Sequence, residues 1–373
     1  MFKAKILAQD YFVFGNGKPF NAGENVFRFN DVIILNTHIY SALKKRFSSL
    51  NINFIGIHKF LYNTFYFPFP IDYIYYLSKH GIPKPIANIK IPNIEILKED
   101  DFRIYLKGEH FKGEFGITSL KTKRLKIWRK DKHNLKKVKE KLNSLKEFKI
   151  LSIKLETGLE IDRKTNTAKE GNLYIESRSY FSSEKGYVDI DIIVAFSGKS
   201  KKSFDKNDYI VDFAGESKTA QIFIDEIEEF NELSLPEEDI KEKIKENQYF
   251  KIILLTPTNY PPKIEGAELV AQLIGKPIAF SGWFNVYDDG KKIDSFPSRL
   301  FKLIPAGSVF YYELKDESKL DDIFDKYWLK PAFFVKEYPY FEEKEEENPQ
   351  SKEKIKINPL GFGLSIIGVA QVE

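Results

Sequence analysis

The chain has no cysteine and a single methionine among its 373 residues. Disulfides, thiolate metal sites, zinc fingers and a cysteine nucleophile are thereby excluded. Long apolar runs are missing too. The stretch Leu360 to Ala370 is too short to span a bilayer, and Phe65 to Leu77 is broken by Pro68, Pro70 and Asp72. Met1 to Gly15 alternates like a strand and lacks a charged region followed by an apolar one, so no signal peptide is expected. These absences predict a soluble, cytoplasmic protein with no membrane partner. Histidine is scarce, and His38, His58, His80, His110 and His133 form neither an HxxxH pair nor a His-Asp dipeptide. The expectation is therefore of a protein with no cofactor, no metal and no catalysis of its own.

Aromatic residues, in contrast, are abundant. The 33 Phe and 20 Tyr, within 42% hydrophobic composition, are enough for two cores and a binding surface besides. The length favours two domains over one, which we place at residues 1–235 and 236–373. Net charge is only +4, yet its distribution is uneven. Between Lys121 and Lys146 twelve Lys or Arg face only Asp131 and Glu140, whereas Glu342 to Glu347 is almost wholly acidic. The basic run, with Trp128 and Arg129 interleaved, fits either phosphate neutralisation or a solvated face against an acidic protein.

Periodicity supplies the elements. Lys3 to Phe14 reads as a strand ending in the turn-forming Gly15-Asn16-Gly17. Asn36 can cap a helix over Thr37 to Phe47, with Ile39, Leu43 and Phe47 on one face and basic residues at its end. A polar helix is expected around Asn134 to Leu145. Strands at Phe148 to Leu155 and Gly171 to Ser177, joined by the turn-rich Asp162 to Glu170, make a long hairpin, and another strand follows at Gly186 to Phe196. After a charged helix at Pro236 to Asn247, the second half reads as strand Phe250 to Thr256, helix Ala267 to Leu273, strands Pro277 to Tyr287 and Gly307 to Leu314, helix Lys319 to Trp328 and strand Gly363 to Gln371. That βαββαβ order is the ferredoxin-like arrangement used by RNA-recognition domains. The predicted fold class is α+β, with two tandem ferredoxin-like (RRM-like) domains carrying insertions, Glu337 to Ile357 among them.

Three short motifs have plain readings. Gly198-Lys199-Ser200 follows a strand, and Ile193 stands where a phosphate loop needs glycine. Gly15-Asn16-Gly17 fails as a dinucleotide fingerprint because Phe20 replaces the third glycine. Pro359-Leu360-Gly361-Phe362-Gly363 is either a tight turn or a place where another backbone comes close. His38 near Tyr40 offers acid–base chemistry on RNA or a structural contact.

Several segments, taken in order, resemble the third subunit of type III-B (Cmr) CRISPR effector complexes, in the RAMP superfamily and its Cas5-like group. Phe14-Gly15-Asn16-Gly17-Lys18-Pro19-Phe20 with Gly23 is similar to that family's opening turn, and Thr37 to Phe47 to its first helix. Glu156 to Asp162, followed by Thr165, Thr167, Ala168, Gly171, Leu173 and Tyr174, resembles its central hairpin. Gly215-Glu216-Ser217-Lys218, Leu254 to Pro257, Ser281-Gly282-Trp283 and Ile304 to Val309 resemble later signatures, and Gly361 to Gly368 stands where RAMP proteins carry a glycine-rich loop. Ser217-Lys218 departs from the expected Gly-Arg-like chemistry, and the glycine loop is sparse.

The resemblance implies a non-catalytic subunit that holds the 5′ tag of the crRNA. It further implies docking to the large polymerase-like subunit and the backbone RAMP subunits, with target RNA met only indirectly. The RNA-binding residues expected on that reading are Lys18, Asn36, His38, Lys45, Thr157, Gly158, Arg163, Thr165, Thr167, Lys218, Gly361, Phe362 and Gly363. Thr157, Gly158, Arg163, Thr165 and Thr167 bring small hydroxyls, a close-approach glycine and a cation to one hairpin. Two other readings remain: a metal-independent endoribonuclease using His38 and Tyr40, and a stand-alone tandem RNA-recognition protein, whose aromatic signature Lys112-Gly113-Glu114-Phe115-Gly116 fits poorly.

Overall fold

The structure, a computed structural model, describes residues 1–9, 11, 27–28, 35–59, 64–68, 70–72, 89–90, 103–107, 117–118, 124–128, 151–162, 164–181, 190–200, 208–213, 218–231, 233, 235–259, 261–280, 283–288, 291–297, 301–331 and 360–372. The Asn-Gly turn, most of the basic run with its polar helix, and the acidic insertion lie outside them.

The fold is α+β, with mostly antiparallel sheets and few helices among the described residues. In the first half the strands are β1 (Phe2–Ala8), β2 (Phe47–Lys59), β3 (Thr64–Phe67), β4 (Leu151–Asp162), β5 (Thr167–Phe181), β6 (Ile190–Ser200), β7 (Asp208–Asp212) and β8 (Thr219–Glu226), with helix α1 (Leu35–Lys44) between β1 and β2. A seven-stranded sheet runs β7-β8-β1-β6-β2-β3 and ends on the short strand Ile89–Lys90. The second half holds α2 (Glu237–Asn247), β9 (Tyr249–Leu254), β10 (Ala267–Leu273), β11 (Val309–Leu314), α3 (Leu320–Tyr327) and β12 (Ser365–Val369). Its sheet runs β12-β9-β11-β10 and takes Ile117–Thr118 from the first half as its fifth strand.

The near-continuous apolar run of β6 follows from burial of the sheet on both faces. Ile192, Val194 and Phe196 point into a core beneath α1 with Ile39, Ala42 and Leu43. Ile193 and Ala195 alternate to the other face, where Phe54 and Phe65 of the first sheet share a second core with β9, β11, β12, α2 and α3. That shared core holds thirty buried apolar side chains drawn from both halves, so the two sheets are packed together.

Several elements differ from the sequence reading. Ala267 to Leu273 is a strand, not a helix: Ala, Glu, Leu and Gln favour helix locally, but pairing with β11 and with Ile117–Thr118 overrides that preference. The first helix spans Leu35–Lys44, and Phe47 already opens β2 as a fully buried core residue. Asn36 therefore sits inside the helix instead of capping it. Pro277 to Tyr287 is extended where described, at Ile278–Phe280 and Trp283–Asp288, with Ser281 and Gly282 outside the described residues. The hairpin is longer and its loop shorter than expected, with β4 and β5 registered from Leu151↔Phe181 to Asp162↔Thr167. The helices α2 and α3 fall where periodicity puts them. Ile240 and Ile244 bury one side of α2, and Leu320, Ile323, Phe324 and Tyr327 one side of α3. Lys241 joins the two, its Nζ lying 2.8 Å from Glu237 and 3.0 Å from Asp321.

Candidate nucleic-acid interface

The expected site residues fall into three places. The first lies around α1 and the residues that follow β7 and precede β8, Phe213 and Lys218. Ile39 and Leu43 anchor α1 on the sheet, which leaves His38 and Lys45 at its margin. The His38 ring lies 6.2 Å from that of the buried Phe213, and burial pushes its pKa down to about 4. Lys45 pairs with Asp212 at 3.2 Å, and both are exposed, so the pair contributes little to stability. Phe213 donates its N–H to the Lys218 carbonyl at 2.6 Å. The Lys218 ammonium stands 4.0 Å from the centre of the Tyr11 ring, and the Arg178 guanidinium stands 4.1 Å from it. Arg178 also pairs with Glu156 and, at 3.2 Å, with Glu176 at the root of the hairpin. One buried aromatic ring thus gathers a cation from β5 and another from Lys218, just before β8. Arg46 stacks on Tyr209 next door, 4.1 Å from its centroid.

The second place is the hairpin tip. From Glu156 to Asp162 the stem rises about 20 Å at the usual strand pitch. There Asn166 adopts φ 54° and donates its N–H to the Asp162 carbonyl at 2.7 Å, while the Asp162 side chain accepts from Lys164 N at 2.8 Å. Thr165 and Thr167 are exposed, and their hydroxyls bond one another at 2.8 Å. Thr157 is exposed on the stem. Gly158, expected to let RNA approach closely, faces a ring of its own hairpin. Tyr174 lies opposite it, and a Cβ there would sit 2.3 Å from the tyrosine Cζ, so the ring occupies the space. Lys18 and Arg163 lie outside the described residues.

The third place is the glycine turn, which is buried. Phe362 is 2% exposed and packs as a core residue. Gly361 and Gly363 have φ 67° and 72°, and a Cβ on Gly361 would meet Ile52 Cγ2 at 2.7 Å. Thr256 donates its hydroxyl to the Gly361 carbonyl at 3.0 Å and accepts from Leu364 N at 2.8 Å. Asn36, 2% exposed, donates its side-chain amide to the Leu360 carbonyl at 2.9 Å. These residues hold the 360–364 turn against α1 and β2, so Asn36, Gly361, Phe362 and Gly363, expected to bind RNA, are buried at an internal junction in this chain.

Sequence reading missed Tyr11 and Arg178. Tyr11 lies in an aromatic run that reads as core, and Arg178 alternates with Glu176 on a strand; only the fold brings them together.

Gly198 to Ser200 continue β6 opposite Phe47 to Leu50, so no phosphate loop forms there. Among the described residues no helix is long and apolar enough to cross a membrane.

The described residues thus form an antiparallel α+β scaffold in which Arg178 and Lys218 flank the buried Tyr11 ring at the root of a two-stranded hairpin. The CRISPR-associated protein (Cas_Cmr3) family matches residues 119–369, more than half of the chain, and the chain belongs to that family, the third subunit of the type III-B Cmr effector complex. None of the curated proteins matches it in sequence. Solved structures similar to it include a chain of the type III-B Cmr-beta bound to cognate target RNA and AMPPnP, at 15% identity and TM-score 0.47. Another is a chain of Cmr-beta bound to cognate target RNA, at 15% identity and TM-score 0.44. In both, the likeness covers 87% of this chain and 89% of the other.

Proposed function

We propose that the chain is a non-catalytic RNA-holding subunit that binds the 5′ tag of the crRNA and docks to the large polymerase-like subunit and the backbone RAMP subunits. Target RNA is met only through the assembled complex. The observation that carries this reading is the Tyr11 cluster: Lys218 and Arg178 both lie over this buried ring, with His38 and Lys45 close by, so hydrogen-bond donors from three segments converge on one region of the surface. Thr165 and Thr167 add exposed hydroxyls at the tip, with Arg163 and Lys18 as further cations of the same expected interface. Asn36, Gly361, Phe362 and Gly363 support the interface from within.

The same proposal reads the architecture as two ferredoxin-like halves, 1–235 and 236–373. Strand order supports it: β8-β1-β6-β2 and β12-β9-β11-β10 both follow the 4-1-3-2 order of that fold. In the first half α1 occupies the first helix position; in the second, α3 occupies the second.

The endoribonuclease reading loses support at His38. A histidine whose pKa is pushed down to about 4 is a weak base near neutrality, and burial raises the pKa of Tyr40 as well, making it a weaker acid.

Salt titration of crRNA affinity with the assembled complex tests the assignment. Lys218→Ala is expected to weaken binding at low salt and to lower the salt slope by about one, the mark of a lost phosphate contact. Affinity equal to wild type at every salt concentration, in a variant that melts normally, removes Lys218 from the interface.

A further inference from the structure

The stem of the hairpin has features that holding a tag does not use. Along β4, residues 155 to 161 alternate, and Leu155, Leu159 and Ile161 are 59%, 47% and 55% exposed. Leu173 of β5, directly across from Leu159, is 61% exposed. The face is therefore an aliphatic stripe on a strand pair, larger than scattered surface leucines would make. The opposite face satisfies itself: Glu160 pairs with Lys169 and accepts from Asn172 at 2.7 Å, and Glu156 pairs with Arg178.

The strand that carries most of the stripe is also an edge. The three-stranded sheet runs Phe27–Arg28, β5, β4, so among the described strands β4 has a neighbour on one side only over all 12 of its residues. Long flat edges with apolar side chains are templates for another strand, and proteins ordinarily blunt them with charge or proline. Neither blunts this stripe: its outward positions from 155 to 161 are Leu155, Thr157, Leu159 and Ile161.

Charge and side-chain type decide between occupants. Residues 151–181 contain five cations (Lys154, Arg163, Lys164, Lys169, Arg178) and five carboxylates (Glu156, Glu160, Asp162, Glu170, Glu176). Cations and carboxylates balance along the hairpin and the stripe face itself carries no charge, so that face gives a polyphosphate no general attraction, whatever single contacts the tip and the root make. Bases stack on aromatic or guanidinium planes, and the stripe has neither.

We propose that the stem is a docking edge for an extended, nearly uncharged segment of another protein subunit, which adds as a strand beside β4. Apolar side chains at every second residue of that segment pack on Leu155, Leu159 and Ile161. Backbone hydrogen bonds supply affinity in this mode and the alternating side chains supply specificity. Membership in a multi-subunit complex supplies candidate partners; the tag-binding assignment is not needed for it.

Hydrogen exchange on the full-length chain alone, assembled with its protein partners without RNA, and assembled with RNA is the test. Amides of Leu151–Asp162 are expected to exchange at least tenfold more slowly in the RNA-free assembly. A double variant, Leu159→Asp with Leu173→Asp, is expected to lose that protection and to fall out of the assembly while melting like wild type. The proposal is overturned if these amides exchange alike alone and in the RNA-free assembly. It is equally overturned if they slow only once RNA is added, which gives the stripe to nucleic acid. Neither result touches the Lys218 salt slope, so failure here and failure of tag binding are read separately.

Discussion

At the residue scale, His38 shows how a side chain chosen for its chemistry can be claimed by packing. Sequence marks it as an acid–base candidate beside Tyr40; the fold sets it against buried Phe213 and pushes its pKa down to about 4 from 6.5. A group that binds its proton more readily when unfolded makes stability rise with pH. The contribution is fully present above about 6.5 and is lost as pH falls toward 4, with a ceiling of about 3 kcal/mol. Thermal melting of the full chain is therefore expected to drop across that window, and His38→Gln to flatten the drop. A pH profile unchanged by the substitution would mean that the imidazole is solvated as an ordinary surface histidine. Asn36 teaches the same lesson in reverse. Its type suits a helix cap, yet its amide reaches Leu360, more than three hundred residues along the chain, a partner no local pattern could name.

At the element scale, the hairpin was legible because strand alternation and turn residues are local signals; α2 and α3 were legible through their apolar spacing. β10 was not. Its residues favour helix, and only the neighbouring strands make it extended. The pairing of Gly158 with Tyr174 was also hidden, since a one-residue change of register would put another side chain there. Gly158→Val is expected to drive the Tyr174 ring from its place and to loosen the stem by about 1 kcal/mol, the scale of a cross-strand pair. Faster exchange of β4 and β5 amides is the readout, and Tyr174→Ala in the same chain should remove most of the conflict. If Gly158→Val leaves exchange untouched while RNA binding weakens, the glycine serves the RNA and not the ring.

At the scale of the whole molecule, the two halves meet over more than an apolar surface. Asp72, just beyond the first sheet's β3, is fully buried against the second sheet, where its carboxylate lies 3.1 Å from Lys251 Nζ on β9 and accepts from the Tyr311 hydroxyl on β11 at 2.9 Å. Ile71 N–H adds a bond to the Gly307 carbonyl at 2.8 Å. Two opposite charges taken out of water together offset much of each other's desolvation cost, but one left alone does not. Asp72→Ala is thus expected to cost about 3–5 kcal/mol by leaving a buried ammonium beside a cavity. Asp72→Ala with Lys251→Met should recover a large part of that loss, because the charge is gone and an apolar stem of similar length remains. Denaturant unfolding followed by tyrosine fluorescence and far-ultraviolet circular dichroism reads both variants. If the shared core makes the halves one cooperative unit, the two signals stay coincident in wild type and shift together in Asp72→Ala. Separate transitions in the wild-type chain would show instead that each half unfolds by itself and that the ion pair only orients one against the other.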